Sequence, residues 1–244
     1  MRCLALTLIL GTSLTATAAD PDGWIDLLRN GEGNPWKSID KGWIVTDKVE
    51  LSPGKTNRLT AQPTDKGTIW VNGSLGRLGD LITKQSFGDC DVHVEFVIAA
   101  KSNSGIKFHA VYEIQILDSA GKPDDKLTGD DCGGIYPRAE LQPKYHHIDK
   151  GVAPKTNAAK PAGEWQTLDV SFRAPRFNDK GEKIENAKII KAELNGKVIH
   201  ENQELKTPTG SNWSKKETAT GPFMLQADHG PVAFRNVKIR PRSS

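Results

Sequence analysis

The stretch that most constrains the fold spans residues 102–118 and reads SNSGIKFHAVYEIQILD. It holds two short runs in which every second residue is apolar. Successive side chains of a strand point to opposite faces, so Ile106, Phe108, Ile114 and Ile116 share one face. Lys107, His109, Glu113 and Gln115 share the other. A helix would need apolar residues every three to four positions. The same alternation recurs in 91–98, with Val92, Val94, Phe96 and Ile98 set against Asp91, His93 and Glu95. It recurs again in 165–173, with Leu168, Val170 and Phe172 set against Thr167, Asp169 and Ser171. Residues 24–28, 36–45, 68–71 and 222–227 read as further strands, with Phe223 and Leu225 inward. Residues 47–58 read as turn. Asn195-Gly196 is a two-residue hairpin signal. In 231–240, Val232 and Phe234 have one parity and Val237 and Ile239 the other, so a bulge near Arg235-Asn236 is expected. No stretch carries three turns of amphipathic helix. Many short strands with Gly and Pro between them predict an all-β fold, an antiparallel β-sandwich or jelly roll.

The 244 residues suit a signal peptide over 1–19 followed by one domain over 20–244. Arg2, the apolar run 4–14 and Ala16-Thr17-Ala18 form the secretory pattern, so a secreted or periplasmic protein is expected. The apolar run is too short to span a bilayer. A net charge of +3 without basic runs gives no support to nucleic acid or membrane partners. Cys90 and Cys132 remain after signal removal, as a disulfide or as two buried thiols. Residues 119–162 form a long link with little periodicity, the kind that is functional or disordered in a compact domain. Its Asp124, Asp125, Asp130 and Asp131 read as a solvated acidic turn, since their spacing matches no calcium loop. Residues 150–160 read as flexible.

Several motifs carry a family resemblance. NSG…YEIQILDS, CGGIYPRAEL, GEWQTLDVSFRAPRF, LNGKVIHEN and GPFMLQADHGPVAFRN follow in order. Together they resemble the 3-keto-disaccharide hydrolase domain, within the concanavalin A-like lectin/glucanase superfamily, over about 23–240. The resemblance implies a jelly roll with a carbohydrate groove, and cleavage of glycosides whose glucose C3 hydroxyl has been oxidised to a ketone. Two positions depart from the family pattern: His109 stands where many relatives have Arg, and Ala227 is inserted ahead of Asp228-His229-Gly230.

Ordinary jelly-roll glucanases carry E-x-D-x-x-E on one strand. Here the text is Glu113-x-Gln115-x-x-Asp118, and strict alternation puts Asp118 on the face opposite Glu113. The two-carboxylate route to glycosidic cleavage is therefore not provided by this strand. A C3 ketone acidifies the C2 proton instead, so one base, donors for the enolate oxygen and an acid for the leaving group would suffice. Glu113, Asp228 and His229 are the catalytic candidates. Lys107, His109, Tyr112, Gln115, Tyr136, Gln226 and Lys84 are the substrate-binding candidates, with an oxidised glycoside as the partner. No cofactor is expected: His109, Glu113, Asp228 and His229 are metal-ligand types, but no HxH or HExxH spacing supports a divalent ion. A non-catalytic, lectin-like module is the alternative.

Overall fold

The computed structural model describes residues 22–29 and 33–243; the expected signal over 1–19 lies outside them. Two antiparallel sheets make the fold. The larger runs in the order Lys197–Leu205, Ala187–Leu194, Gln166–Arg173, Cys90–Ile98, Val232–Pro241, Ile69–Val71, Ile44–Thr46, with Ile25–Asp26 also paired to Val232–Pro241. The smaller runs Leu81–Phe87, Gly221–Leu225, Asn103–Phe108, Tyr112–Leu117. Among the described residues the only helix is a single 3₁₀ turn, Asp124–Lys126. The expected all-β sandwich is the fold observed.

The apolar faces of the two sheets meet in one core. Phe108 of the small sheet stacks on Phe172 of the large one with ring centroids 4.4 Å apart, and Phe223 meets Phe108 edge-on at 5.9 Å. Phe96, Ile114, Ile116, Leu168, Val170, Leu225 and Phe234 are all buried there, as their alternation requires. Each such side chain contributes roughly 1.5–3 kcal/mol by leaving water. The bulge in the last strand is present: its register shifts between Arg235 and Lys238, and Asn236 takes φ 47°. Val232, Phe234, Val237 and Ile239 consequently all face the core. Asn195 and Gly196, at φ 53° and 76°, close the expected hairpin between Ala187–Leu194 and Lys197–Leu205, the double positive φ that a twisted two-residue turn demands.

Four expectations are corrected. Residues 47–58 hold a hairpin, Val49–Ser52 with Lys55–Ala61, whose Leu59 is buried in a satellite cluster with Val97, Ala99 and Ala233. Its other side chains are mostly exposed, so its alternation is weak. Residues 36–45 contribute only an isolated bridge from Trp36 to Thr83 and the start of Ile44–Thr46. Residues 150–160 are anchored rather than loose: Val152 exchanges backbone bonds with Ile135, and Lys155 N donates to Ile199 O at 2.9 Å. The acidic turn is only partly solvated. Asp131 is buried and takes both Lys122 Nζ at 2.7 Å and Thr128 N at 2.8 Å, while Asp124 accepts from Asn157 N at 2.7 Å. These carboxylates tie the long link to itself. Cys90 and Cys132 are free, buried thiols, each pushed up to about 12, chiefly by burial.

Candidate functional site

The site lies on the outer face of the small sheet. Lys107 and Glu113 stand directly opposite each other on neighbouring strands, where facing side chains are in reach. Lys107 Nζ lies 3.1 Å from Glu113 Oε2. The Glu113 carboxylate leans over Gly105, where an added Cβ would come within 2.5 Å of Oε1. A missing side chain at 105 is thus what gives the carboxylate its place. Gln226 arrives on the other flank, its N donating to Gly105 O at 2.9 Å.

Two loops cover this face. Tyr136 N donates to Glu113 O at 3.1 Å, and Gln115 N donates to Gly134 O at 2.9 Å, so residues 133–136 seal the edge of Tyr112–Leu117. From the other direction Thr209 Oγ1 accepts from Glu113 N at 3.0 Å. The result is a cavity of about 360 Å³, walled by Lys107, Glu113, Tyr136, Tyr145, Asn212, Gln226 and His229, within the roughly 300–1,000 Å³ typical of small-molecule sites. A larger cavity of about 420 Å³ lies behind Tyr136, near Lys197–Leu205. Its Asp149 is already paired to Arg138 at 2.6 Å, so that acid is not poised for chemistry.

Burial is the dominant force on Glu113, which is 4 % exposed. It pushes the carboxyl above the ordinary glutamate range; Lys107 pulls it back, nearby Asp80 adds to the rise, and His229 opposes it. Burying one carboxylate beside one ammonium is tolerable because each offsets part of the other's desolvation. Asp80 is raised as well, first by burial and then by Asp228, although its Oδ1 accepts from Ala227 N at 2.8 Å and Lys107 and His229 favour its charged form. Two carboxyls therefore feel the same Lys107 and His229. Asp80 has no sequence signal of its own: it follows Gly79 at the head of Leu81–Phe87 and reads as a turn residue. Tyr145 and Asn212 were equally hidden, because both lie in irregular links.

Of the sequence candidates, Lys107, Glu113, Tyr136, Gln226 and His229 converge on the cavity. Asp228 adjoins it, its Oδ1 in contact with His229 Nδ1 and its carbonyl accepting from Arg77 Nη1 at 2.9 Å. Gln115 is on the right face but sealed under the loop, fully buried, with Nε2 3.4 Å from Asp130 Oδ1. His109 turns away. With φ 53° at His109 and 55° at Ala110, the chain reverses in the left-handed region, and the imidazole packs edge-on against Phe172 at 5.3 Å. Its ring nitrogens lack hydrogen-bond partners in good geometry, although the Phe87 and Thr218 backbones lie near, and burial pushes its pKa down to about 4. Tyr112 pairs with Phe108 and so faces the core, its hydroxyl donating to Glu217 Oε1 at 2.5 Å. Its parity with Ile114 already put it there. Lys84 lies outside the cavity, with Nζ on Asn34 O at 2.8 Å. Among the described residues no three His, Cys, Asp or Glu side chains gather as a metal would require.

The arrangement defines the class of two-sheet antiparallel jelly rolls, with a roofed polar cavity on the small sheet. More particularly, the chain belongs to the family of 3-keto-α-glucoside-1,2-lyase-like domains, whose model matches residues 19–240. Its fold is similar to three crystal structures of candidate glycosyl hydrolases from Parabacteroides distasonis. The first has TM-score 0.58 and 24 % identity over 91 % of this chain and 84 % of that one. The second has TM-score 0.55 and 15 % identity over 93 % and 99 %. The third has TM-score 0.53 and 18 % identity over 90 % and 99 %. No protein of curated function matches the chain.

Proposed function

We propose that this protein cleaves glycosides whose glucose ring carries a ketone at C3, by elimination across C1 and C2. Glu113 takes the C2 proton. The electron pair moves into a C2–C3 enolate whose oxygen accepts from the Lys107 ammonium. Collapse of the enolate forms the C1–C2 double bond and expels the C1 substituent, whose oxygen takes a proton from His229, held by Asp228. Water then adds across the double bond in a later step. The observation that carries this reading is Glu113: buried, raised by its burial, beside a single ammonium, and the one carboxylate among the described cavity-lining residues. A base tuned towards neutrality is what abstraction of a ketone-acidified proton needs, and the family description supports the 1,2-lyase sense of the reaction. We also place the enzyme outside the cytoplasm, on the strength of residues 1–19; a mature N-terminus near Ala19 or Asp20 by mass spectrometry is the expected result.

The test is incubation in D₂O with a 3-keto-glucoside and with its unoxidised parent. Cleavage of the keto sugar alone is expected, with the C2 proton lost or replaced by deuterium. Cleavage that retains the C2 proton would replace elimination with direct displacement at C1. Sugar binding without any cleavage would favour the lectin-like module.

A further inference from the structure

The hairpin formed by Ala139–Glu140 and His146–His147 has no part in the elimination chemistry above. It brings Tyr145 to the cavity wall with 50 % of its surface exposed. The ring is held in place from behind. Its hydroxyl is 2.8 Å from that of Tyr136, which in turn is 3.0 Å from His147 Nε2. The His147 ring meets Tyr136 edge-on at 5.2 Å and Tyr145 at 5.6 Å. Three rings thus form one braced unit. Asn212, with amide donor and acceptor groups, belongs to the same cavity.

We propose that Tyr145 builds the subsite for the departing ring of the substrate, stacking on its C–H face, and so is the residue that separates sugar leaving groups from small alcohols. The assignment of rings rests on the elimination reading, which puts the reacting ring against Glu113. Glu113 is 4 % exposed and Tyr145 is 50 % exposed, so they mark the floor and the mouth of one cavity. At about 360 Å³ that cavity holds more than one hexose ring. A second ring linked through C1 therefore lies towards the mouth. A braced phenol suits it, because the aromatic face is apolar and already immobilised, so little conformational entropy is lost on contact.

The experiment compares wild type, Tyr145→Ala and Tyr145→Phe on a 3-keto-disaccharide and on a methyl 3-keto-glucoside. Tyr145→Ala is expected to lower kcat/KM on the disaccharide about tenfold, through KM, and to change the methyl glycoside less than about twofold. Tyr145→Phe keeps the ring and should stay near wild type on both. Equal losses on the two substrates, no loss on either, or a Phe variant as impaired as the Ala variant would overturn the subsite. If the wild type cleaves neither sugar, the elimination reading has failed separately. Titration calorimetry then decides the subsite: weaker binding of the disaccharide alone to Tyr145→Ala upholds it, and unchanged binding overturns it.

Discussion

Two faces of this sandwich look alike as text and differ as chemistry. The outer face of the large sheet carries Asp91, His93, Glu95, Asp169 and Ser171. That of the small sheet carries Lys107, Glu113 and Gln115. On the large sheet each charge finds a partner across the strands and stays near water. His93 Nδ1 meets Asp169 Oδ1 at 2.7 Å, Arg235 Nε meets Glu95 Oε2 at 2.6 Å while its guanidinium sits over Trp165, and Arg240 Nη2 meets Asp91 Oδ2 at 2.9 Å. On the small sheet the links 133–136 and 209–213 roof the face. One ion pair there is drawn down to a cavity floor, with the Glu113 side chain only 4 % exposed, and its acid is driven up. What separates a solvated ladder from a reactive site is the cover, and the cover comes from residues remote in sequence from the charges beneath it.

The sharpest way to break the comparison is to neutralise one acid on each face. Glu113→Gln should lower turnover of a 3-keto-glucoside by roughly 10²–10⁴, with the circular dichroism spectrum unchanged, whereas Glu95→Gln should leave turnover within about twofold. Unaltered turnover in Glu113→Gln would remove it from the mechanism. Gly105→Ala comes next. The new Cβ meets the Glu113 side chain first, Oε1 at 2.5 Å and Cγ and Cδ at 3.2 Å, rather than backbone, so the fold should survive while the carboxylate shifts; we expect roughly a hundredfold loss of activity, since misplacement by about 1 Å costs that much. Lys107→Met removes the charge that holds the Glu113 carboxyl down. The active base is the deprotonated form, so the acid limb of the kcat/KM profile, already above the ordinary glutamate range, should move further alkaline. A limb that stays or moves to lower pH would contradict the pairing. The smallest effect belongs to the large sheet: Asp169→Asn should cost under about 1 kcal/mol in urea melts, as half-exposed pairs do.

Much of this fold was legible in residue order. Period-two alternation identified the core strands, Asn195-Gly196 the hairpin, and the parity break before Val237 the bulge. Glu113, Lys107, Gln226 and His229 were legible because they sit on strands, or just past one, whose register can be counted. His109 was not, since parity holds only while φ stays negative, and the reversal at His109-Ala110 rotates the imidazole into the core. Asp80 and Tyr145 were invisible for another reason. Each reaches the site from a link with no period, positioned by bonds that no local rule predicts, such as Ala227 N to Asp80 and Tyr145 to Tyr136.

The strand Val232–Pro241 sits inside the large sheet between Cys90–Ile98 and Ile69–Val71, and it also holds Ile25–Asp26. All three partners precede it by most of the chain. During synthesis these partners would wait with unpaired edges, a state prone to sticking to other chains. Closing such long loops late makes for slow folding, so chaperone holding and proteolysis compete with maturation until Val232–Pro241 has taken its place in the sheet. A premature stop ahead of Val232 would therefore not trim the molecule but leave its largest sheet split in two.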